Sequence, residues 1–176
     1  MESCVTLTSK GCWSPTSKLD QKREFAIGVG QLTVAYDANG NVRFDSLSDM
    51  RKAHMAELRE LSWSTVSTRP DLQIRTVLLM TKDNYDRLYS VPDSYQRIAI
   101  ADAAYNGGLG GAQKERRACG MKDGCDPKVW FGNVEKTCLK SPKILYGKRS
   151  ACDINRDHVR DVLKIKMLKY KEVMNK

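Results

Sequence analysis

The chain has 176 residues, of which 41% are hydrophobic and 29% are charged, as expected for one soluble globular domain with a real core. No apolar stretch approaches the roughly 20 residues that a bilayer-spanning helix needs. The first ten residues lack the basic and apolar regions of a signal peptide, so we expect a protein made without a leader, or one whose leader lies upstream of this sequence.

The formal charge of +9 is concentrated near the C-terminus. Residues 136–176 contain 12 Lys or Arg and 4 Asp or Glu, a balance of +8, which leaves +1 for residues 1–135. A basic patch of this kind predicts attraction to a polyanion such as nucleic acid, acidic lipid or the anionic bacterial envelope. A solvated basic helix face without a partner explains the same charge.

Cysteine content indicates disulfides. Three bridges would have 15 possible connectivities, and zinc competes with them, although the chain has no C-x2-C pair and neither histidine is near paired cysteines. Cys119 and Cys125 flank "GMKDG", which predicts a small disulfide loop, and we favour an oxidising compartment. The six cysteines are Cys4, Cys12, Cys119, Cys125, Cys138 and Cys152.

Residues 3–24 have the composition of a loop. Alternating apolar residues on both sides of Asn39-Gly40 predict a β-hairpin over 27–45. A helix over 46–61 follows, with Ser46 or Ser48 as its cap. A second helix starts at Pro70 and runs to about residue 91. Its apolar stripe predicts a largely buried face, with Leu72, Ile74, Val77, Leu78, Met80, Tyr85 and Leu88.

An alanine-rich third helix is predicted over 93–108, in the middle of the domain. Residues 112–152 show few periodic signals apart from a short helix predicted within 127–139. The chain ends in a basic amphipathic helix over about 153–176, with Val159, Leu163, Met167, Tyr170 and Met174 on one face. The predicted fold class is α+β, predominantly helical, with one small hairpin.

The stretch "AAYNGGLGGA" at residues 103–112 places four glycines where a helix should end. One glycine satisfies a helix C-terminus. Four glycines beside Tyr105 and Asn106 predict a backbone that a ligand approaches closely. The alternative is an extended helix cap packed on a neighbouring helix. Other motifs fail: Gly28-x-Gly30 lacks a third glycine and a G-K-S/T signature, and no G-x-S-x-G is present.

Four segments, taken in order, resemble a known family. They are Glu2-Ser3, "AIGVGQLT" with Gln31, "AAYNGGLGG", and "NRDHVRDVL" with His158 where the family usually has tyrosine. The sequence resembles the soluble lytic transglycosylase branch of the lysozyme-like superfamily, in the version that bacteriophages encode. The resemblance spans nearly the whole chain, and its specific part is the Tyr-Asn-Gly-Gly match.

This resemblance implies a single lysozyme-like domain over 1–176, of the goose-lysozyme or lytic transglycosylase type. Its substrate would be the glycan strands of peptidoglycan in the bacterial periplasm, reached from a phage virion or an infected host cell. The basic C-terminal helix would contact the anionic outer membrane or envelope, and no nucleic acid, metal or other cofactor is expected. The implied substrate-binding residues are Ser3, Gly30, Gln31, Tyr105, Asn106, Gly108 and His158.

Glycosidic cleavage needs a carboxylic acid that protonates the leaving oxygen, so its pKa must be raised by an apolar, partly desolvated pocket. In lytic transglycosylases one glutamate then acts as base on the C6 hydroxyl of the sugar, giving a 1,6-anhydro ring. Glu2 matches the family motif, with a Cys4–Cys12 bridge bracing its loop, but only Met1 precedes it where the family has a helix. Glu24 is the alternative, either as the acid or as a second carboxylate, unless it is a salt-bridged loop residue.

Three other functions stay open. Lysozyme-type hydrolysis would cleave the same bond with water. A nucleic-acid-binding module would explain the charge but neither glycine stretch, and its aromatic residues are not interleaved with basic ones. A virion structural protein could keep the fold as a glycan-binding plug without cleavage.

Overall fold

The computed structural model describes residues 14–170, except for the side chains of Tyr146, Lys169 and Tyr170. The protein is α+β with about 51% helix and small antiparallel sheets, which confirms the predicted class. It divides into two compact units, with the boundary between Met80 and Thr81. Within the described part of the chain, none of the helices has the length and apolar content needed to cross a membrane.

The first unit begins with a four-stranded antiparallel meander in the order β1-β2-β3-β4. The predicted hairpin is confirmed as β3 and β4, and Gly40 has a φ of 85° in the turn between them. The expectation of a loop over 3–24 is wrong at β1, whose residues are all exposed and therefore carry no apolar alternation. The strands are β1 (Lys18–Gln21), β2 (Glu24–Ile27), β3 (Leu32–Tyr36) and β4 (Val42–Asp45).

Helices complete the first unit, and its core lies between them and the sheet. They are α1 (Ser46–Ala53), α2 (Met55–Leu58), a 3-10 turn (Val66–Thr68) and the start of α3 (Pro70–Asp86). The buried apolar cluster contains Ile27, Leu32, Leu47, Met50, Leu58, Leu61, Val66 and Leu72.

Two expectations for α1 are wrong. The predicted helix over 46–61 breaks at His54, whose backbone leaves the helical region at φ −127° and ψ 53°. The cap is Asp45, whose carboxylate accepts a hydrogen bond from the Ser48 amide. Ser46 is buried and its hydroxyl donates to the carbonyl of Thr33, so it joins helix to strand.

The predicted apolar stripe of α3 is only partly buried. Leu72 lies in the core, whereas Ile74 and Leu78 are exposed. The buried face of α3 instead includes two polar residues, Gln73 and Thr76. Polar groups can occupy this face because each finds hydrogen-bond partners there, which an apolar-periodicity argument does not detect.

The second unit is built on the alanine-rich helix α4. As predicted, this helix runs from Ser94 to Gly107 and is capped by Asp93. Its small buried residues, Ala99, Ala101, Ala103 and Ala104, allow neighbouring elements to approach closely. The remaining elements are α5 (Leu109–Gly120), a 3-10 turn (Val134–Lys136), β5 (Ile144–Tyr146), β6 (Arg149–Ser150), α6 (Ala151–Arg160), a π-helical segment (Asp161–Lys166) and a 3-10 turn (Met167–Tyr170).

Residues 112–152 contain more structure than predicted. Helix α5 is hidden by the glycines at its start, because a single residue, Gly108, separates it from the end of α4. The short helix predicted within 127–139 is reduced to the 3-10 turn, and the β5–β6 hairpin was not expected. The C-terminal helix begins at Ala151, where Ser150 and Asp153 form a capping box, and buries Val159 and Leu163 as predicted.

Two disulfides lie in the second unit. Cys119–Cys125, with Cα atoms 5.4 Å apart, confirms the predicted small loop. Cys138–Cys152 joins the segment after the 3-10 turn to the first turn of α6, with Cα atoms 6.0 Å apart. The proposed Cys4–Cys12 bridge lies outside the described residues.

Candidate functional site

The first glycine stretch connects β2 to β3 around a buried side chain. Gly28 has a φ of +87°, and a Cβ added there would lie 2.2 Å from Oε1 of Gln73. That oxygen accepts a hydrogen bond from the amide of Val29 at 2.7 Å. The side-chain nitrogen of Gln73 donates to the carbonyls of Pro15, at 3.0 Å, and Val66, at 2.6 Å. The close approach that the glycine permits is therefore made by the protein itself.

Gln31 and Gly30, expected to bind substrate, lie in this loop and are half-buried. Among the described residues, Gln31 is the one non-glycine residue with a positive φ, 47°. Its side-chain nitrogen donates to the carbonyl of Gly28 at 2.8 Å and of Ser17 at 3.3 Å. The amide thus stabilises the loop, and its role toward substrate stays a prediction.

Of the predicted acids, Glu24 opens strand β2 opposite Ala35 and is half-buried. The structure records no ion pair between Glu24 and another residue of the described part. The neighbouring Phe25 packs edge-on against Trp63, with ring centroids 5.8 Å apart. Because successive strand residues point to opposite faces, this contact lies on the other side of the sheet from the Glu24 carboxylate. Glu2 and Ser3 lie outside the described residues.

The second glycine stretch, residues 107–111, is called the glycine turn below. A Cβ on Gly107 would meet the side chains of Lys140 at 2.8 Å and Asn155 at 2.9 Å, so packing requires this glycine. Gly108 is required by its backbone, with a φ of +82° at the junction of α4 and α5. A Cβ on Gly110 meets nothing within 4 Å and needs no unusual φ. Packing among residues 14–170 therefore does not explain Gly110.

Asn155 of α6 holds the end of α4 in place. It is fully buried, and its Nδ2 donates to the carbonyl of Ala103 at 2.9 Å and to Oδ1 of Asn106 at 3.0 Å. Its own oxygen accepts from Arg156 at 2.8 Å. The side chain of Asn106 is therefore oriented by a residue 49 positions away in sequence.

A buried ion cluster supports this arrangement. Glu115 of α5 is 1% exposed and accepts from Arg156 at 2.9 Å and Lys140 at 3.2 Å. Arg156 also donates to the backbone carbonyl of Glu135 at 2.9 Å. Because Lys140 also packs against Gly107, the cluster connects α5 and α6 to the glycine turn.

Two rings lie side by side next to this turn. The rings of Tyr105 and His158 stack with centroids 6.1 Å apart and an interplanar angle of 29°. Nε2 of His158 is 3.2 Å from Oδ1 of Asp102. The other oxygen of Asp102 is buried without a hydrogen-bond partner in residues 14–170. The structure thus brings together Tyr105, Asn106 and His158, which come from segments about 50 residues apart.

Sequence reasoning missed Asp102. Its spacing is a signal that could have revealed it. Asp102 is three residues before Tyr105 and four before Asn106, and residues at these spacings share one face of a helix. Tyr105, Asn106 and His158 are half-buried, and Gly108 and Gly110 are exposed. The accessible parts of the rings and of the Asn106 amide can offer a ligand apolar contact and hydrogen bonds.

A separate cleft of about 240 Å³ lies in the first unit and is lined by charged side chains. Arg69 binds both Glu60 and Asp71 there, the latter at 2.8 Å. The hydrogen bond from Arg69 is the main reason that the pKa of Asp71 falls to about 2. The charges in this cleft largely satisfy one another. No group of three or more His, Cys, Asp and Glu side chains that could hold a metal occurs in residues 14–170.

No protein-family model, curated protein or solved structure matches this chain. The functional interpretation therefore depends on the motifs and on the geometry around the glycine turn.

Proposed function

We propose that the protein cleaves the β-1,4 bond between N-acetylmuramic acid and N-acetylglucosamine in peptidoglycan, as a lytic transglycosylase with a lysozyme-like fold. The glycan strand lies against the wall formed by Tyr105, Asn106, His158 and the glycine turn. The observation that carries this proposal is the exposed Gly110 in that wall, where a side chain would meet nothing within 4 Å among the described residues. The two disulfides support action in an oxidising compartment such as the periplasm.

Gly110 is costly for the helix that contains it. It lies in the first turn of α5, and glycine is less favourable than alanine in a helix, by about 1 kcal/mol at interior positions. Neither its backbone conformation nor its packing in the described part of the chain requires it. Departures from local preference without a structural reason concentrate at functional sites. A sugar ring seated against the turn would explain the absent side chain.

The reaction needs one carboxylic acid, which we assign to Glu2, with Glu24 as the alternative. The acid gives its proton to O4 of N-acetylglucosamine as the bond to C1 of N-acetylmuramic acid breaks. The same carboxylate then takes the proton of the C6 hydroxyl, whose oxygen bonds to C1. The product is a 1,6-anhydro ring, and no water is consumed.

Digestion of purified peptidoglycan tests the reaction, with the products identified by mass spectrometry. We expect anhydro ends from the wild type, none from Glu2→Gln, and normal yield from Glu24→Gln and from the exposed control Asp123→Asn. Reducing ends one water heavier would replace transglycosylation by lysozyme-type hydrolysis. Full activity in the double variant of Glu2 and Glu24 would contradict the catalytic assignment.

Co-sedimentation with insoluble peptidoglycan tests the wall separately from the chemistry. Gly110→Leu places a side chain in open space, so we expect a folded protein that no longer binds the glycan. Lys114→Leu, an exposed position on the same helix, is the matched control and should bind normally. Equal binding by both variants would show that the glycan does not lie against the glycine turn.

A further inference from the structure

The Cys138–Cys152 disulfide encloses residues 139–151, which we call the basic loop. This segment contains three lysines, one arginine and no Asp or Glu. It forms the β5–β6 hairpin, with Gly147 at a φ of +59° in the turn. Both ends are fixed, one by the disulfide and the other by the capping box of α6. The hairpin is thus a firmly attached projection that carries charge of one sign.

Apolar side chains of the basic loop are in contact with water. Leu139 is 58% exposed, Ile144 59% and Leu145 63%. Since successive strand residues point to opposite faces, the exposed Ile144 and Leu145 show that neither face of β5 is covered by residues 14–170. Three large aliphatic side chains are thus exposed within seven residues, with Ile144 and Leu145 on opposite faces of the hairpin.

Two cations flank these apolar residues. Lys143 and Lys148 are exposed, and neither ammonium group has an ion-pair partner within residues 14–170. The other basic residues of the loop are engaged: Lys140 binds buried Glu115, and Arg149 lies 3.7 Å from Asp157.

The C-terminal helix offers fewer available cations than its sequence suggests. Arg156 belongs to the buried ion cluster. Arg160 pairs with Asp157 at 2.7 Å and with Asp161 at 3.0 Å. The ammonium group of Lys164 lies over the ring of Phe131, 4.1 Å from its centroid. Three of the four described Lys and Arg side chains of this helix are therefore engaged by other groups, and the fourth, Lys166, is half-buried, whereas Lys143 and Lys148 of the basic loop are exposed.

We propose that the basic loop docks the protein on an anionic lipid bilayer. The hairpin enters by its turn end, so that Ile144 and Leu145, on opposite faces, both reach the boundary between headgroups and acyl chains, while Lys143 and Lys148 bind lipid phosphates. A bilayer surface satisfies both the apolar and the cationic groups. Nucleic acid or glycan would leave the aliphatic side chains in water, and a second copy of the loop would bring like charges together. This inference does not depend on the proposed glycan cleavage.

Vesicle sedimentation tests the docking, with phosphatidylcholine vesicles that contain about one third phosphatidylglycerol compared with pure phosphatidylcholine. We expect binding to the anionic vesicles alone. Ile144→Ser with Leu145→Ser should lower the partition coefficient more than about tenfold, because both anchors are lost. Lys143→Gln with Lys148→Gln should lower it about fivefold for each lysine and weaken its salt dependence.

Leu78→Ser and Lys114→Gln are the controls, since both residues are exposed outside the basic loop. They should bind as the wild type does. All these positions are exposed, and circular dichroism verifies that each variant is folded. Wild-type binding by the serine double variant would overturn the proposal. So would concentration-dependent dimerisation that the same variant abolishes, in the absence of vesicle binding.

Discussion

The two glycine stretches look alike in sequence, but different chemistry holds them in place. In the first unit, the neutral side chain of Gln73 fills the space beside Gly28 and binds three backbone groups. In the second unit, Gly107 packs against Lys140 and Asn155, which belong to a network centred on buried Glu115.

The difference teaches how to recognise a glycine that serves a ligand. Gly28 and Gly107 are occupied by the protein's own side chains, and Gly108 is explained by its backbone. Gly110 and Gly111 are left over, both with ordinary helix geometry: a Cβ on Gly110 would meet nothing within 4 Å among the described residues, and one on Gly111 would lie at an ordinary 3.7 Å from Lys140. A glycine-rich segment is therefore a poor indicator of binding until each glycine is tested against its own neighbours.

The largest expected effect is on stability and concerns the buried ion cluster around Glu115, which holds the second glycine stretch in place. Glu115→Gln leaves Arg156 and Lys140 without their buried counter-charge, which should lower the free energy of unfolding by about 3–5 kcal/mol. Urea denaturation followed by circular dichroism measures this change, with exposed Asp123→Asn as the control. A loss no greater than that of the control would show that the cluster is not a stabilising anchor.

The neutral side chain of Gln73, which holds the first glycine stretch, should contribute less to the free energy of unfolding. Gln73→Leu leaves the Val29 amide and two carbonyls without partners, and we expect a loss of about 1–3 kcal/mol. Gln21→Leu, at an exposed position of β1, is the matched glutamine control. If the Gln73 variant loses as much free energy as Glu115→Gln, charge does not distinguish the two anchors.

Within the glycine turn, two alanine substitutions should have opposite signs. Gly107→Ala forces its methyl group against Asn155 and should cost about 1–2 kcal/mol. Gly110→Ala has room for its methyl group and should stabilise the protein by about 0.5 kcal/mol, because the unfolded chain loses conformational freedom. Thermal unfolding of the pair decides between these expectations. Destabilisation by Gly110→Ala would mean that the turn itself requires that glycine.

Elements that are defined by a short stretch of sequence were predicted correctly. The Asn39-Gly40 turn identified its hairpin, and the alanine spacing identified α4. The glycines that marked the candidate site also concealed α5, because a sequence with four glycines resembles a helix stop rather than a helix start.

The network around Glu115 could not be predicted from sequence. Its partners are 25 and 41 residues away, and only the packing of α5 and α6 brings these charges together. The pairing of His158 with Asp102 has the same origin, at a separation of 56 residues. Tyr105 and Asn106 could be singled out because four glycines follow them within five residues. Asp102 has no such local signal.

The smallest effect is expected at the exposed counterpart of the buried cluster, where Arg69 binds Asp71 and Glu60. The folded pKa of Asp71, about 2, lies below the ordinary value of about 3.9, so its stabilising contribution is complete above that value and is lost as pH falls toward 2. Arg69→Gln should return this pKa to its ordinary range while stability at neutral pH changes little, since solvent screens exposed pairs. Carboxyl NMR titration measures the shift, and Arg75→Gln, which alters the same cleft, should leave the pKa low. A large loss of stability in Arg69→Gln at neutral pH would show that the exposed ion pairs of Arg69 stabilise the protein as much as the buried ion pairs of Glu115 do.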